Sequence, residues 1–343
     1  MRNLAFPHPE PSGPKTRIWP VFLPFHGCKG RCIYCSQTLQ SGTLSRQLSK
    51  HLADLQADLQ AAGDEGRDSL ELGFFGGSFT GLPRAWVDRF LELAQSYRDK
   101  GLITRVRCST RPDMLDSADL RAFRQAGLDM VEVGVQSFSD TVLQSAGRGY
   151  TRYQALQGIE RVRKSGLKLG VQLLPGLPGH SRKEWLQDIR ITSAVAPETV
   201  RLYPCLVLEG TPLARLWRSG GYRPWSLGET VSALSRGVSR FWRKGIRVIR
   251  IGLPAQAGLA EHVLAGPWHA SLGNIIRSRV LRARVQAACL LLGPGPKRLV
   301  CPEAARGEIW GYRGGNRKGL QALGLSRERV RFEEGGPFRL EKV

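Results

Sequence analysis

The 343-residue chain has 41% hydrophobic and 23% charged residues, a globular balance that excludes a wholly disordered, collagen-like or coiled-coil protein. Its net charge is +22, and the excess is uneven: residues 1–180 carry 23 Lys/Arg against 17 Asp/Glu, and residues 181–343 carry 28 against 12. A basic second half suggests a polyanionic partner; the competing explanation is an Arg-rich genome, since Arg outnumbers Lys 40 to 11. No apolar run approaches the ~18–20 residues of a membrane helix. The N-terminus has no apolar segment of the kind a signal peptide needs. A cytoplasmic protein with no membrane partner is expected.

Residues 1–16 are Pro-rich and polar and read as a flexible arm. Strands are then predicted at 19–25, 70–75, 103–110, 130–135, 167–174 and 199–204. Helices are predicted between them at 44–62, 84–100, 116–126, 140–146, 152–165 and 182–194. Six β–α repeats point to an α/β fold, a partial (βα)6 TIM-like barrel over 17–205. A helix at 227–244, a strand at 247–251, a helix at 274–292 and strands at 329–333 and 338–343 make residues 206–343 a basic C-terminal α+β extension.

The strands have two unlike faces. Leu70, Leu72 and Phe74 oppose Glu71; Val106 and Cys108 oppose Arg107 and Ser109; Val131, Val133 and Val135 oppose Glu132, Gly134 and Gln136. Gln172 stands alone on its strand, and Arg201 and Tyr203 oppose Val200 and Leu202. A doubly wound sheet buries both faces and reads apolar throughout. One polar face fits a barrel whose interior is a reaction chamber. Within it, Arg107 is expected to lie between the carboxylates of Glu71 and Glu132.

Seven cysteines are present, and Cys28, Cys32 and Cys35 fall in C-x3-C-x2-C spacing. Three thiolates on one loop can each take one iron of a four-iron cluster, leaving the fourth iron open. A structural zinc site wants a fourth protein ligand, and His26 lies too near Cys28 for zinc-finger spacing. Cys108, Cys205 and Cys289 read as core residues and Cys301 has no assignment, so no second cluster is expected.

The cysteine motif with Tyr34 before its last cysteine resembles the signature of the radical S-adenosylmethionine (SAM) superfamily. FFGGSFT (74–80), STRPD (109–113), VGVQS (133–137), RGY (148–150) and LPGLPG (174–179) follow in order. RLYP (201–204), IRIG (249–252) and AGPWH (265–269) continue the series. Together they resemble the bacterial group related to the catalytic subunit of Elongator, without its acetyltransferase domain, and more distantly oxygen-independent coproporphyrinogen oxidase.

The resemblance implies a 4Fe-4S cluster on Cys28, Cys32 and Cys35, SAM chelating the open iron, and an electron donor such as flavodoxin or ferredoxin. Reductive cleavage of SAM would release a 5′-deoxyadenosyl radical, with the protein orienting the cofactor and excluding water. Gly76 and Gly77 match the strand end that approaches SAM, with Ser78 and Thr80 as further contacts. Arg148 matches the partner of the SAM carboxylate. Ser109 stands where a glutamate often stands in the Elongator group. Gln136 and Gln172 are candidates for SAM ribose or substrate contact, and Tyr34 for packing beside the adenine or the cluster. A tRNA is the first candidate substrate. The rival readings are a small-molecule substrate such as a porphyrin precursor, and a non-catalytic iron–sulfur or zinc protein that binds nucleic acid.

Overall fold

The computed structural model describes residues 3–11, 16–253 and 258–343. Thirteen strands are present among them: β1 (Asn3–Phe6), β2 (Arg17–Leu23), β3 (Leu70–Gly76), β4 (Ile103–Thr110), β5 (Met130–Gln136), β6 (Lys168–Leu173), β7 (Thr199–Leu202), β8 (Val207–Leu208), β9 (Arg247–Ile251), β10 (Val263–Ala265), β11 (Lys297–Pro302), β12 (Val330–Glu333) and β13 (Phe338–Lys342). Seven form one parallel sheet in the order β2-β3-β4-β5-β6-β7-β9. Order in space follows order in the chain, as successive right-handed β–α–β crossovers require. The sheet leaves β2 and β9 as free edges, so it is a half-barrel.

The two faces separate as their alternation predicts. Leu72, Phe74, Val106, Cys108, Val131, Val133 and Val171 turn outward into a core shared with the helices. Those helices bring Leu59 from Leu48–Asp64, Phe90 from Arg84–Asp99, Phe123 from Ser117–Gln125, Ile159 from Arg152–Ser165, Trp185 from Arg182–Val195 and Phe241 from Leu227–Arg243. Several helix starts are fixed locally. Thr151 with Gln154, Ser181 with Glu184 and Ser226 with Glu229 each form a reciprocal cap, satisfying backbone N–H groups that the first turn leaves free.

The structure departs from the sequence reading at both ends. The barrel sheet holds a seventh strand: β9, expected in the extension, pairs with β7. Residues 3–6 of the expected flexible arm form β1, which pairs antiparallel with β13. Residues 1–2 and 12–15 of that arm lie outside the described residues. The second sheet, β1-β13-β11-β12, packs on the helix Leu272–Leu292 around Phe6, Leu281, Val285, Cys301 and Phe338. That helix joins both cores, giving Leu272, Ile276 and Val280 to the first and Leu281, Val285 and Leu292 to the second. Among the described residues, no helix is long and apolar enough to cross a membrane.

Candidate active site

The inner face of the half-barrel encloses a chamber of about 530 Å³. Its chemistry gathers at the C-terminal ends of the strands, where successive β–α turns converge on one mouth. Cys28, Cys32 and Cys35 sit on the turn after β2, and all three line the chamber. That turn is held from several sides: Ile33 N–H donates to the Ala146 carbonyl at 3.2 Å, and Leu213 N–H to the Ile33 carbonyl at 2.8 Å.

Gly76 and Gly77 show why glycine ends β3. A Cβ at residue 77 would lie 2.0 Å from the His26 carbonyl oxygen and 2.7 Å from that of Leu23. The cysteine turn therefore crosses directly over this backbone, and Ser78 N–H donates to the His26 carbonyl at 2.8 Å. Gly76 has φ +97, in the region that side chains avoid. Both glycines and Ser78 line the chamber, and Ser78 Oγ is 3.4 Å from Cys28 Sγ.

Arg148 is only 5% exposed, which excludes a solvated helix-end arginine. Its guanidinium donates from Nη1 to Cys32 Sγ at 3.0 Å and to the Tyr34 hydroxyl at 3.2 Å. Nη2 donates to the Gly134 carbonyl at 2.6 Å and Nε to the Tyr150 hydroxyl at 2.8 Å. Burial alone would lower its pKa, but Tyr150, Tyr34 and Cys32 outweigh burial and hold it above the usual value. Burial pushes the Tyr34 phenol up, so Tyr34 stays neutral.

Gln136 ends β5 with φ +67, a left-handed backbone that costs a non-glycine residue about 1–3 kcal/mol. Its Oε1 is buried at the chamber wall without a hydrogen-bond partner, leaving an acceptor for a ligand N–H. Ser109 and Gln172 also line the chamber but bind each other, Gln172 Nε2 donating to Ser109 Oγ at 2.9 Å. Thr80 is placed differently. It sits behind the wall, bonded to Thr110 Oγ1 at 2.7 Å and to the Met114 carbonyl at 2.6 Å.

The inner face of the sheet carries a row of alternating charges across four strands, of which Arg201 lines the chamber. Arg107 Nη1 lies 3.1 Å from Glu71 Oε2, and its Nε lies 2.9 Å from Glu132 Oε1, an ion pair whose N–H axis is not aligned on the oxygen. Arg201 closes on the other side of Glu132, with Nη2 at 3.1 Å from Oε1. Burial alone would raise the Glu132 pKa; Arg201 and then Arg107 overcome it and hold the carboxyl below its usual range. Arg107 between two carboxylates is the arrangement that strand alternation predicts.

Sequence reasoning missed Arg111. It is 8% exposed, is gripped by Asp113 through two 2.9 Å bonds, and donates to the Arg148 carbonyl. An arginine and an aspartate two residues apart at a strand end was the available signal.

Among the described residues, no three His, Cys, Asp or Glu side chains stand close enough to hold one ion. A mononuclear zinc site therefore does not fit. Burial, and then Cys32, push the Cys35 thiol up to about 12. Thiolates this close ionise together only with a cation to compensate them. Three thiols on one turn that lines the chamber fit a cluster that binds one thiolate per iron.

The radical SAM superfamily model matches residues 22–191, and the radical SAM C-terminal domain model matches residues 197–282. A tRNA uridine(34) acetyltransferase of Methanocaldococcus infernus is 27% identical over 243 residues, covering 65% of this chain and 45% of that protein. The chain spans between about a third and two thirds of the length of the curated relatives that head the comparison. Among solved structures, the archaeal Elp3 of Methanocaldococcus infernus superposes with TM-score 0.60 at 21% identity, covering 78% of this chain and 64% of that one. Coproporphyrinogen III oxidase of Escherichia coli superposes with TM-score 0.52 at 17% identity, covering 69% of this chain and 54% of that one. The half-barrel, the three-cysteine turn and the two consecutive family matches establish that this chain belongs to the radical SAM superfamily and is an enzyme of that type.

Proposed function

We propose that Cys28, Cys32 and Cys35 hold a 4Fe-4S cluster, that S-adenosyl-L-methionine binds beside it, and that the enzyme modifies a tRNA in the cytoplasm. The carrying observation is that the three thiols, Gly76–Gly77, Gln136 and Arg148 share one chamber. When bound, the pair supplies one-electron cleavage of a carbon–sulfur bond and a 5′-deoxyadenosyl radical that removes hydrogen from the substrate; flavodoxin or ferredoxin is the proposed electron source.

The chain's own residues orient and shield that chemistry. Arg148 braces the Cys32 side of the turn. Gly77 leaves the strand end bare, so backbone and ligand can approach closely. Gln136 Oε1 offers an acceptor to the SAM amino group or ribose. Phe22, Phe25 and Phe75 form an apolar wall that keeps water from a reactive intermediate.

Two observations favour a tRNA. Curated relatives carry tRNA-modifying names. Arg236, Arg243, Arg279 and Arg284 are exposed on the helices Leu227–Arg243 and Leu272–Leu292. Phosphate binding through such residues makes affinity fall linearly with salt on a log–log plot.

Anaerobic reconstitution tests the first part. About four irons per chain and 5′-deoxyadenosine on reduction are expected. Cys32→Ala should lose the iron and Cys301→Ala keep it; a full cluster in Cys32→Ala refutes the ligand set. Filter binding across a salt series tests the second. Equal weak binding of tRNA and an unrelated structured RNA refutes the tRNA reading.

A further inference from the structure

Strand β9 breaks the alternation that its neighbours keep. Its pairing with β7 runs Thr199 to Arg247 and Val200 to Val248, then jumps to Arg201 with Arg250 and Leu202 with Ile251. Ile249 is the extra residue of a β-bulge, a device that re-aims side chains and recurs beside active sites. Val248 and Ile251 both turn into the outer core, while Ile249 and Arg250 both line the chamber. In a regular strand Arg250, two residues from Val248, would face the helices. The bulge therefore turns a cation inward.

Among the chamber's other arginines, Arg31 is exposed and lies over the Phe25 ring at 4.1 Å, and the buried and half-buried ones are occupied by the protein itself. Asp113 grips Arg111, Glu132 takes Arg201, and Arg148 is spent on Cys32, Gly134 and Tyr150. Arg250 is half-buried and makes neither an ion pair nor a side-chain hydrogen bond among the described residues. The row of Glu71, Arg107, Glu132 and Arg201 is balanced in itself and offers Arg250 no counter-charge. At the opposite edge of the sheet, Phe22 and Phe75 present rings 6.3 Å apart on β2 and β3. One side of the chamber thus suits a planar or apolar body, and the other an anion.

We propose that Arg250 binds an oxyanion of the substrate, a phosphate or a carboxylate, inside the chamber. The inference rests on the reading of this chamber as the enzyme's substrate compartment. A planar guanidinium fork without a carboxylate of its own matches two oxygens of such a group, and low-dielectric walls strengthen the contact. The bulge has a function on this account: it turns inward a half-buried chamber arginine that has no ion pair among the described residues.

The test uses the reconstituted full chain and two matched pairs of probes. Uridine 5′-monophosphate is compared with uridine, and butyrate with butyramide, by anaerobic calorimetry. The anion of at least one pair should bind about tenfold more tightly than its neutral partner, the scale of one charge-assisted hydrogen-bonded contact. Preference in the first pair identifies a nucleotide source, and in the second a carboxylic acid. Arg250→Met should abolish the preference and Arg250→Lys retain part of it; Arg250→Gln replaces the methionine variant should that one fail to fold. No preference in either pair, or a preference that survives loss of the charge, overturns the proposal. Reductive SAM cleavage by the native protein is assayed separately. Its absence, with the anion preference intact, removes the radical reaction but not the role of Arg250.

Discussion

Arg148 Nη1 stands 3.0 Å from Cys32 Sγ, so the arginine expected to meet a ligand carboxylate is also a brace for the cysteine turn. Residues far apart in the chain meet here because the segment after the helix Asp140–Ser145 and the turn after β2 both line the chamber. Arg148→Ala would leave the Gly134 carbonyl with the Tyr150 hydroxyl alone and remove the donor to the Cys32 thiol and to the Tyr34 hydroxyl. It should lower unfolding stability by about 2–4 kcal/mol, as loss of a buried charged hydrogen-bonding group does. It should also weaken SAM binding. Urea denaturation and a SAM titration check both; an unchanged midpoint would mean the brace contributes nothing.

Arg107→Met leaves Glu71 and Glu132 facing one another without the cation between them. Breaking one member of a buried ion-pair network costs about 3–5 kcal/mol. The double variant Arg107→Met with Glu71→Leu should recover part of that loss, because Glu132 still has Arg201. A double variant no more stable than the single one would show that the ladder is not coupled.

The Glu132 carboxyl is held below its usual range in the folded chain: burial opposes this, and Arg201 and Arg107 prevail. At pH values between its folded and unfolded pKa, the unfolded chain binds the proton and the folded chain does not, so stability rises with pH there. The contribution is fully present above the unfolded glutamate value of about 4.3 and is lost as pH falls through the folded one. Glu132→Gln should flatten this acid limb while lowering stability at neutral pH. Denaturation midpoints between pH 3 and pH 7 decide it; an unaltered acid slope would reject the assignment.

Gly77→Ala places a methyl group 2.0 Å from the His26 carbonyl oxygen, in backbone that cannot yield without moving the cysteine turn. A stability loss of at least about 1–3 kcal/mol is expected from such overpacking, together with reduced iron retention. Gly101→Ala is the control: φ is +80 but the space is open. It should cost only about 1 kcal/mol of backbone strain and leave iron content unchanged. Equal iron content in both variants would remove Gly77 from the cluster turn.

Phe6 is 4% exposed and stacks on Phe338 with centroids 5.3 Å apart. Phe6→Ala should destabilise the second core by about 3–5 kcal/mol, the range for buried phenylalanine. Hydrogen exchange should show the loss concentrated in β13 and β11 rather than in the barrel strands. Uniform deprotection would instead mean that the two cores unfold as one.

Local patterns made much of this legible. Alternation on β3, β4 and β5 separated Glu71, Arg107 and Glu132 from the outward valines, because one face meets helices and the other a chamber. Cysteine spacing singled out Cys28, Cys32 and Cys35, which the structure brings to one chamber, because the three lie within eight residues. Long-range partners were not legible. Thr80 looked like a chamber residue but is bonded to Thr110 and Met114, whose approach only tertiary packing decides. Composition marked residues 3–6 as loose because the partner that orders them is β13. Arg250 was hidden by the bulge at Ile249, which reverses the phase that alternation predicts.

The pairing of β1 with β13 sets a constraint on biosynthesis. Asn3 lies opposite Glu341, so β1 finds its partner only after the whole intervening chain has been made. Until then Leu4 and Phe6 are an apolar ribbon with no sheet to join. Contacts between distant positions form late, since closing so long a loop is entropically unfavourable. The half-barrel can assemble from neighbouring repeats as they emerge. The second core must wait, and for that interval the nascent chain carries an unpaired edge that other chains can capture.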